Sequence, residues 1–215
     1  MVDLNDISYT VQSGKARETS ALVSQALEEH YAIEMIMKQG IIAGFQAVED
    51  RYKQNEFLVP ELRLAVRAMN WGIRQMRQAI NALNQQTNGT VIIGTVIGDS
   101  EDIEKNLTSI MMEGMNLRVV DLGTGVTANQ FIETAIQETA RLIICSASMV
   151  PAMVHIKTLV HAAAAAGIRE QVKILITGAP VSERFRKVIG ADMYAPDTVS
   201  AAEMAAAWCL QCGGR

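Results

Sequence analysis

The clearest pattern along the chain is an apolar run, then a polar break, then a helical spacing. Residues 91–97 are mostly apolar and β-branched, as in a strand that is buried on both faces. Gly98-Asp99-Ser100 interrupts the run, and a helix is predicted to begin near Asp102 because apolar positions then recur at Leu107, Ile110, Met111 and Met115. Strand, turn and helix form the first unit of a doubly wound α/β domain, in which ligands bind beyond the carboxyl ends of the strands.

Strands and helices continue to alternate to the end of the chain. Further strands are predicted at residues 117–122, 142–146, 172–176 and 193–195. Thr127 and Ser200 each begin a predicted capping box, with Gln130 and Glu203 three residues later, and Ser182 is predicted to cap a short helix. Five such units predict a parallel sheet that is covered by helices on both sides.

The first part of the chain has a different period. Residues 14–86 are helical in their spacing throughout, which predicts a small helical bundle, and its longest helix begins near Pro60. Residues 1–13 are mixed and polar and are predicted to be a loose N-terminus. Residues 87–90 are predicted to be a linker, so that the α/β domain spans residues 91–215.

Composition and charge exclude several classes of function for this chain. The chain has 215 residues and a net charge of −4, with no basic patch that would favour nucleic acid or an anionic membrane. The first residues lack the charged start and apolar core of a signal peptide, so none is expected, and no apolar run is long enough to span a bilayer. Three cysteines form no disulfide framework, which predicts a reducing, cytoplasmic location. Cys209 and Cys212 form a weak metal or redox signal, and two free thiols at a frayed helix end are the favoured interpretation.

Several short motifs, in this order and spacing, are similar to one family over nearly the whole chain. They are residues 56–62 (EFLVPEL), residues 93–99 (IGTVIGD), Asp102-Ile103, Lys105-Asn106, Asp121-Leu122-Gly123, Ser146-Ala147, Gly178-Ala179-Pro180-Val181, Gly190-Ala191-Asp192 and Tyr194-Ala195-Pro196-Asp197. The chain resembles the corrinoid (cobalamin-binding) proteins of bacterial and archaeal methyltransferase systems.

The resemblance implies a helical cap domain before a flavodoxin-like, Rossmann-type domain with a five-stranded parallel sheet. It implies a methyl-carrying subunit rather than a stand-alone enzyme, with cobalamin or a related corrinoid as cofactor and no catalytic acid or base. Its implied partners are a substrate-specific methyltransferase and an accepting methyltransferase, and an exposed face of the bundle would also permit a homodimer. The implied corrinoid-binding positions are Asp99, Ser100, Glu101, Asp102, Ile103, Leu122, Gly123, Ser146, Ser148, Val150, Thr177, Gly178, Tyr194, Ala195, Pro196 and Asp197.

The chain departs from the family motif where the cobalt would lie. In the family, Asp-x-His-x-x-Gly supplies a histidine below the cobalt, whereas Glu101 stands at the histidine position here and Glu104 at the glycine position. Thr177 replaces the first of two family glycines. The resemblance therefore implies a base-off corrinoid with no histidine beneath it, and no protein metal ligand. If Glu104 or Thr177 filled the channel for the nucleotide tail, the methyl-carrier function would fail.

Alternative interpretations stay open at this point. Glu101 and Asp102 also suit the first turn of any helix, where negative charge is favoured, and Ser146 could simply end its strand. Five methionines at helical spacing, namely Met69, Met76, Met111, Met112 and Met115, are predicted to be core rather than a surface over the corrin ring. His155 and His161 are not predicted to be ligands. The second candidate function is a non-catalytic paralogue that has lost the corrinoid and serves as a binding or regulatory partner.

Overall fold

The computed structural model describes residues 1–54, 56, 59–83 and 87–212. Contacts divide the chain into two compact units, Met1–Gln85 and Gln86–Arg215. Residues 84–86, where the bundle is predicted to end, lie outside the described residues. The predicted linker of residues 87–90 is one residue too long, because Thr90 already belongs to the first strand.

The first unit is helical. Its elements are α1 (Leu4–Gln12), α2 (Ala16–Glu28), α3 (Ile33–Met35), a π-helix (Ile36–Ile42), α4 (Ala43–Lys53) and α5 (Val59–Leu83). Helix α5 packs most extensively on α2, and α1 packs on α2, α4 and the π-helix.

The loose N-terminus predicted for residues 1–13 is wrong. Helix α1 occupies most of that segment, and the side chain of Asp3 caps it by accepting a hydrogen bond from the amide of Asn5. Leu4, Ile7 and Val11 are buried. Their spacing of three and four residues places them on one helix face, so a single apolar stripe holds the helix against its neighbours.

The segment between Ile33 and Lys53 is one continuous helical stretch. Hydrogen bonds widen to the π pattern over Ile36–Ile42 and return to the α pattern at Ala43. Ile36, Met37, Ile41 and Ile42 are all buried within this stretch. The wide turns allow apolar side chains at an irregular spacing to face the interior.

The second unit is a doubly wound α/β domain, which confirms the predicted fold class. Its strands are β1 (Thr90–Thr95), β2 (Arg118–Asp121), β3 (Leu142–Ser146), β4 (Lys173–Thr177) and β5 (Met193–Tyr194). They form one parallel sheet in the order β2-β1-β3-β4-β5. The order reverses between β1 and β3, which is where ligands bind in folds of this kind.

The helices of this unit are α6 (Ile103–Gly114), α7 (Ala128–Gln137), α8 (Met153–Ala165), α9 (Glu183–Ile189) and α10 (Thr198–Cys212). Helices α7 and α8 pack together on one face of the sheet around Phe131 and Ile156, and α6 packs on α10. Thr127 forms the predicted capping box with Gln130, and Ser182 caps α9 as predicted.

The predicted capping box at Ser200 is wrong. Helix α10 begins at Thr198, and the carboxylate of Asp197 accepts hydrogen bonds from the amide and the hydroxyl of Ser200. Asp and Ser are both good N-cap residues. The sequence pattern therefore allowed the cap to be either Asp197 or Ser200.

Two predictions about sulfur-containing residues have different outcomes. Met69, Met76, Met111 and Met112 are buried, as core methionines are, whereas Met115 is half-buried. Cys209 is buried as well, so the helix is not frayed at that point; the side chain of Cys212 lies outside the described residues. Burial raises the pKa of the Cys145 thiol to about 12, which makes this thiol unreactive.

Candidate cofactor site

The loops that follow β1 and β3 lie side by side at the carboxyl edge of the sheet. These two strands pair directly, with Thr95 beside Ser146, and their loops flank the reversal of strand order. Asp99 lies in the first loop and Ser148 in the second. The geometry therefore brings together the residues that the sequence predicts after these two strands.

Asp99 clamps the two loops together. It is 4% exposed, and its carboxylate accepts hydrogen bonds from the amide of Glu101 and from both the amide and the hydroxyl of Ser148. Burial alone raises the pKa of the Asp99 carboxyl, but the bonds from Glu101, Ser148 and the amide of Met149 outweigh burial and hold the pKa below its usual value. Asp99 is therefore a carboxylate at neutral pH.

The acidic residues of the first loop have their backbone fixed and their side chains in solvent. The carbonyl of Glu101 accepts a hydrogen bond from the Thr95 hydroxyl at 3.0 Å. Ser100, Glu101 and Asp102 are exposed, and Asp102 precedes α6 without making a side-chain cap bond. Ile103, the first residue of α6, is half-buried. This loop can present negative charge to a ligand, but it presents no nitrogen donor.

Glu104 does not fill the space between α6 and the sheet, because its side chain is exposed. The next residue, Lys105, points the other way and is buried, with its ammonium group bonded to Asp121 and Asn106. The sequence alone could not decide which way Glu104 points. Its exposure meets one of the two conditions for a tail channel.

Three hydroxyl side chains form a row beneath these loops. Register pairs Thr95 on β1 with Ser146 on β3, and Ser146 with Thr177 on β4. All three are buried, and the Thr95 and Ser146 oxygens lie 2.9 Å apart. Thr95 was missed by the sequence analysis; its position as the last residue of β1, level with Ser146, was the signal that could have found it.

Gly178 closes this row at a point where no side chain fits. Its φ is +120°, and a Cβ built there would lie 1.9 Å from the carbonyl oxygen of Ala147. The backbone of β4 thus turns tightly against the loop after β3. Only glycine allows the end of β4 to approach the Ala147 backbone this closely.

Apolar side chains stand exposed around the same edge. Ile97 follows β1, and Met149 and Val150 follow β3; Val150 is 69% exposed. These three residues, which we call the apolar rim, follow the two paired strands β1 and β3 and are available to contact a ligand at this edge.

The other predicted positions lie at the two outer edges of the sheet. Leu122 and Gly123 follow β2, where the Gly123 amide donates to Asp121; Tyr194, Ala195, Pro196 and Asp197 follow or end β5. These edges are four strand spacings apart, or about 19 Å. The structure does not bring these two groups together, and only a ligand that spans the sheet could touch both.

His155 is half-buried on α8 and lies close to the first loop. Its Nε2 atom is 3.8 Å from where a Cβ of Gly98 would be. His161 is exposed on α8. Among the described residues, no three His, Cys, Asp or Glu side chains converge on a point where a metal ion could bind.

No helix within the described ranges is long and apolar enough to cross a membrane.

Comparisons with known proteins match both units. Residues 89–203 match a family described as "B12 binding domain", and residues 4–83 match a second family of the same description. Trimethylamine corrinoid protein 1 of Methanosarcina acetivorans is 35% identical, over 83% of this chain and 87% of that protein. The dimethylamine corrinoid protein of Methanosarcina barkeri is 30% identical, over 92% and 93%.

A solved structure gives the same result. The monomethylamine corrinoid protein of Methanosarcina barkeri superposes with a TM-score of 0.78 at 25% identity, covering 94% of this chain and 96% of that one. Sequence and fold agree along both units. The chain therefore belongs to the family of corrinoid proteins that are built from B12-binding domains and serve methyltransferase systems.

Proposed function

We propose that this chain is the methyl-carrying corrinoid subunit of a methyltransferase system. One methyltransferase partner would deliver a methyl group and a second would collect it. When bound, the corrinoid supplies the cobalt chemistry, and the chain supplies binding, orientation and electrostatics. Because the similar proteins are named for mono-, di- and trimethylamine, methylamines are the first donors to test.

The observation that carries this proposal is the convergence of three features at the switch point of the sheet. The Asp99 clamp fixes the loop on which family members carry the cobalt ligand. The row from Thr95 to Thr177 offers hydrogen bonds to a polar tail, and Gly178 allows the end of β4 to pack tightly on the loop after β3. The exposed side chains of the apolar rim suit the ring.

We further propose that the corrinoid is held base-off, without a histidine beneath the cobalt. Glu101 occupies the histidine position, and its exposed carboxylate is a poor partner for cobalt in a corrin. Asp99 accepts hydrogen bonds from Glu101 and Ser148, and the glutamate at position 101 gives it no imidazole to orient. Water or no ligand would then occupy the lower position.

Corrinoid colour is expected to stay with the purified protein after it is mixed with hydroxocobalamin and desalted. The Co(II) form should then show no nitrogen splitting in electron paramagnetic resonance, because no nitrogen lies below the cobalt. A His155→Gln variant is the control, because the His155 imidazole lies close to Gly98 of the first loop.

Three results would contradict these proposals. Nitrogen splitting that disappears in His155→Gln would make His155 a ligand, and splitting that persists would point to the cofactor's own base; either refutes the base-off proposal. Loss of colour on desalting would refute the carrier function. It would favour the non-catalytic paralogue, which the missing loop histidine also suits.

Glu101→His is expected to introduce nitrogen splitting. The backbone at position 101 is held by Asp99 and Thr95, so the new imidazole would project from a loop of unchanged course. Glu101→Gln removes the same charge without adding an imidazole, and its spectrum should match that of the wild type. An unchanged spectrum in the histidine variant would show that position 101 does not face the cobalt.

A further inference from the structure

We infer that the Thr177 hydroxyl donates a hydrogen bond to the base nitrogen of the corrinoid's nucleotide tail. The inference rests on the proposed function, because it concerns how the tail of a base-off corrinoid is held. Thr177 stands where family members have a glycine, so the contact would be particular to this chain.

The side chain of Thr177 faces the α6 and α10 side of the sheet. Ile174 and Ile176 belong to the core cluster on the opposite side, with α7 and α8. Side chains alternate along a strand, so Lys173 and Thr177 point the other way. The Lys173 ammonium confirms this direction, because it lies 5.8 Å from the ring of Trp208 on α10.

The hydroxyl protons of the other two members of the row are already used. Thr95 lies 3.0 Å from the carbonyl of Glu101, and because a carbonyl can only accept, Thr95 must donate its proton there. In the 2.9 Å pair between Thr95 and Ser146, Ser146 is then the donor. Ser146 can therefore accept a hydrogen bond from a ligand but has no proton left to give.

Thr177 is the member of the row with a proton to offer. It is 5% exposed, and its hydroxyl has no hydrogen-bond partner among the described residues. The hydroxyl is also not sealed in: in the part of the chain that is described, the fully enclosed polar side-chain atoms without a partner are Ser109 Oγ and Trp208 Nε1. The Thr177 hydroxyl is therefore not fully enclosed by the protein.

The nucleotide tail needs such a donor. In a base-off corrinoid the base nitrogen has left the cobalt and is a free acceptor, and a buried acceptor without a donor is costly. Ser146 cannot meet this need while it donates to Thr95. Because the hydroxyl protons of Thr95 and Ser146 are used in other hydrogen bonds, Thr177 is the donor to the tail and Ser146 can only accept.

Thr177→Val tests this inference, because valine keeps the shape of threonine and removes the hydroxyl. Dissociation constants are measured by absorbance titration with three probes: hydroxocobalamin, cobinamide, which lacks the tail, and a cobamide whose lower base is a phenol without a ring nitrogen. We expect Thr177→Val to bind cobalamin about tenfold more weakly than the wild type does. Its affinity for the other two probes should be unchanged, and Thr177→Ser, which keeps the hydroxyl, should bind all three like the wild type.

The outcomes separate the inference from the proposed function. If Thr177→Val binds all three probes like the wild type, or loses affinity equally for all three, the inference is wrong and the carrier function stands. If the wild type binds none of the probes, the proposed function fails and the inference fails with it.

Discussion

Replacing Gly178 with alanine is expected to lower the free energy of unfolding by roughly 2–6 kcal/mol, the sum of backbone strain and overpacking. The φ of +120° disfavours any side chain, and the new Cβ would meet the carbonyl oxygen of Ala147 at 1.9 Å. Backbone must move to relieve that contact, since no flexible side chain is involved. The loop after β3, which carries Ser148, would move with it, so corrinoid retention should also be lost. Urea unfolding and the desalting experiment measure the two effects.

Gly123→Ala is the matched control for this variant. Gly123 also has a positive φ, +78°, but a Cβ there would meet no atom within 4 Å. Only the strain of a side chain at positive φ remains, so the free energy of unfolding is expected to fall by about 1 kcal/mol. If both variants lost similar stability, the close approach to Ala147 would not be the cause.

Asp99→Asn is expected to lower the free energy of unfolding by roughly 2–4 kcal/mol and to weaken corrinoid binding more than tenfold. The amide keeps the size of the carboxylate but offers one acceptor oxygen where Glu101 and Ser148 now donate to two. One buried donor would then face an NH₂ group. Asp102→Asn is the control: its side chain makes no cap bond, and we expect a change within about 0.5 kcal/mol. Equal losses in both variants would show that removal of a loop charge, rather than of the clamp, is responsible.

The same variant should change how stability depends on pH. The pKa of Asp99 is lower in the folded protein than its ordinary value of 3.8. The contribution of Asp99 to the free energy of unfolding is thus complete above pH 3.8, and it is lost as the pH falls through the lower pKa of the folded protein. The free energies of unfolding of the wild type and Asp99→Asn should therefore differ at pH 7 and become more alike towards about pH 3. A difference that stayed constant down to pH 2 would contradict a carboxylate clamp.

The strands and the family were readable from the residues because local pattern determines them. The apolar run before Asp99 has no polar face, so a doubly buried strand was the one good solution for it. Helix α1 was missed because its apolar stripe has only three members, Leu4, Ile7 and Val11, among polar neighbours. The π-helix was missed because side-chain spacing does not report which carbonyl each amide chooses.

The candidate site was only partly readable for a related reason. Asp99 and Ser148 follow strands and could be placed from the chain order. Thr95 joins Ser146 only through the register of β1 and β3, which no local pattern encodes. The proximity of His155 to Gly98 depends on how α8 is set against the first loop, and the direction of Glu104 depends on how α6 is rotated. Strand register, helix position and helix rotation are determined by tertiary packing and not by the local sequence pattern.

The π-helix at Ile36–Ile42 has a consequence for how this segment tolerates length changes. Each residue added to or removed from a helix turns everything after it by about 100°. The wider turns absorb such a phase difference locally, so that Phe45 and Val48 of α4 still reach the interior. Removing one residue inside this stretch should therefore be tolerated as a return to ordinary α geometry, whereas the same deletion within α4 would swing its remaining inward-facing side chains towards water.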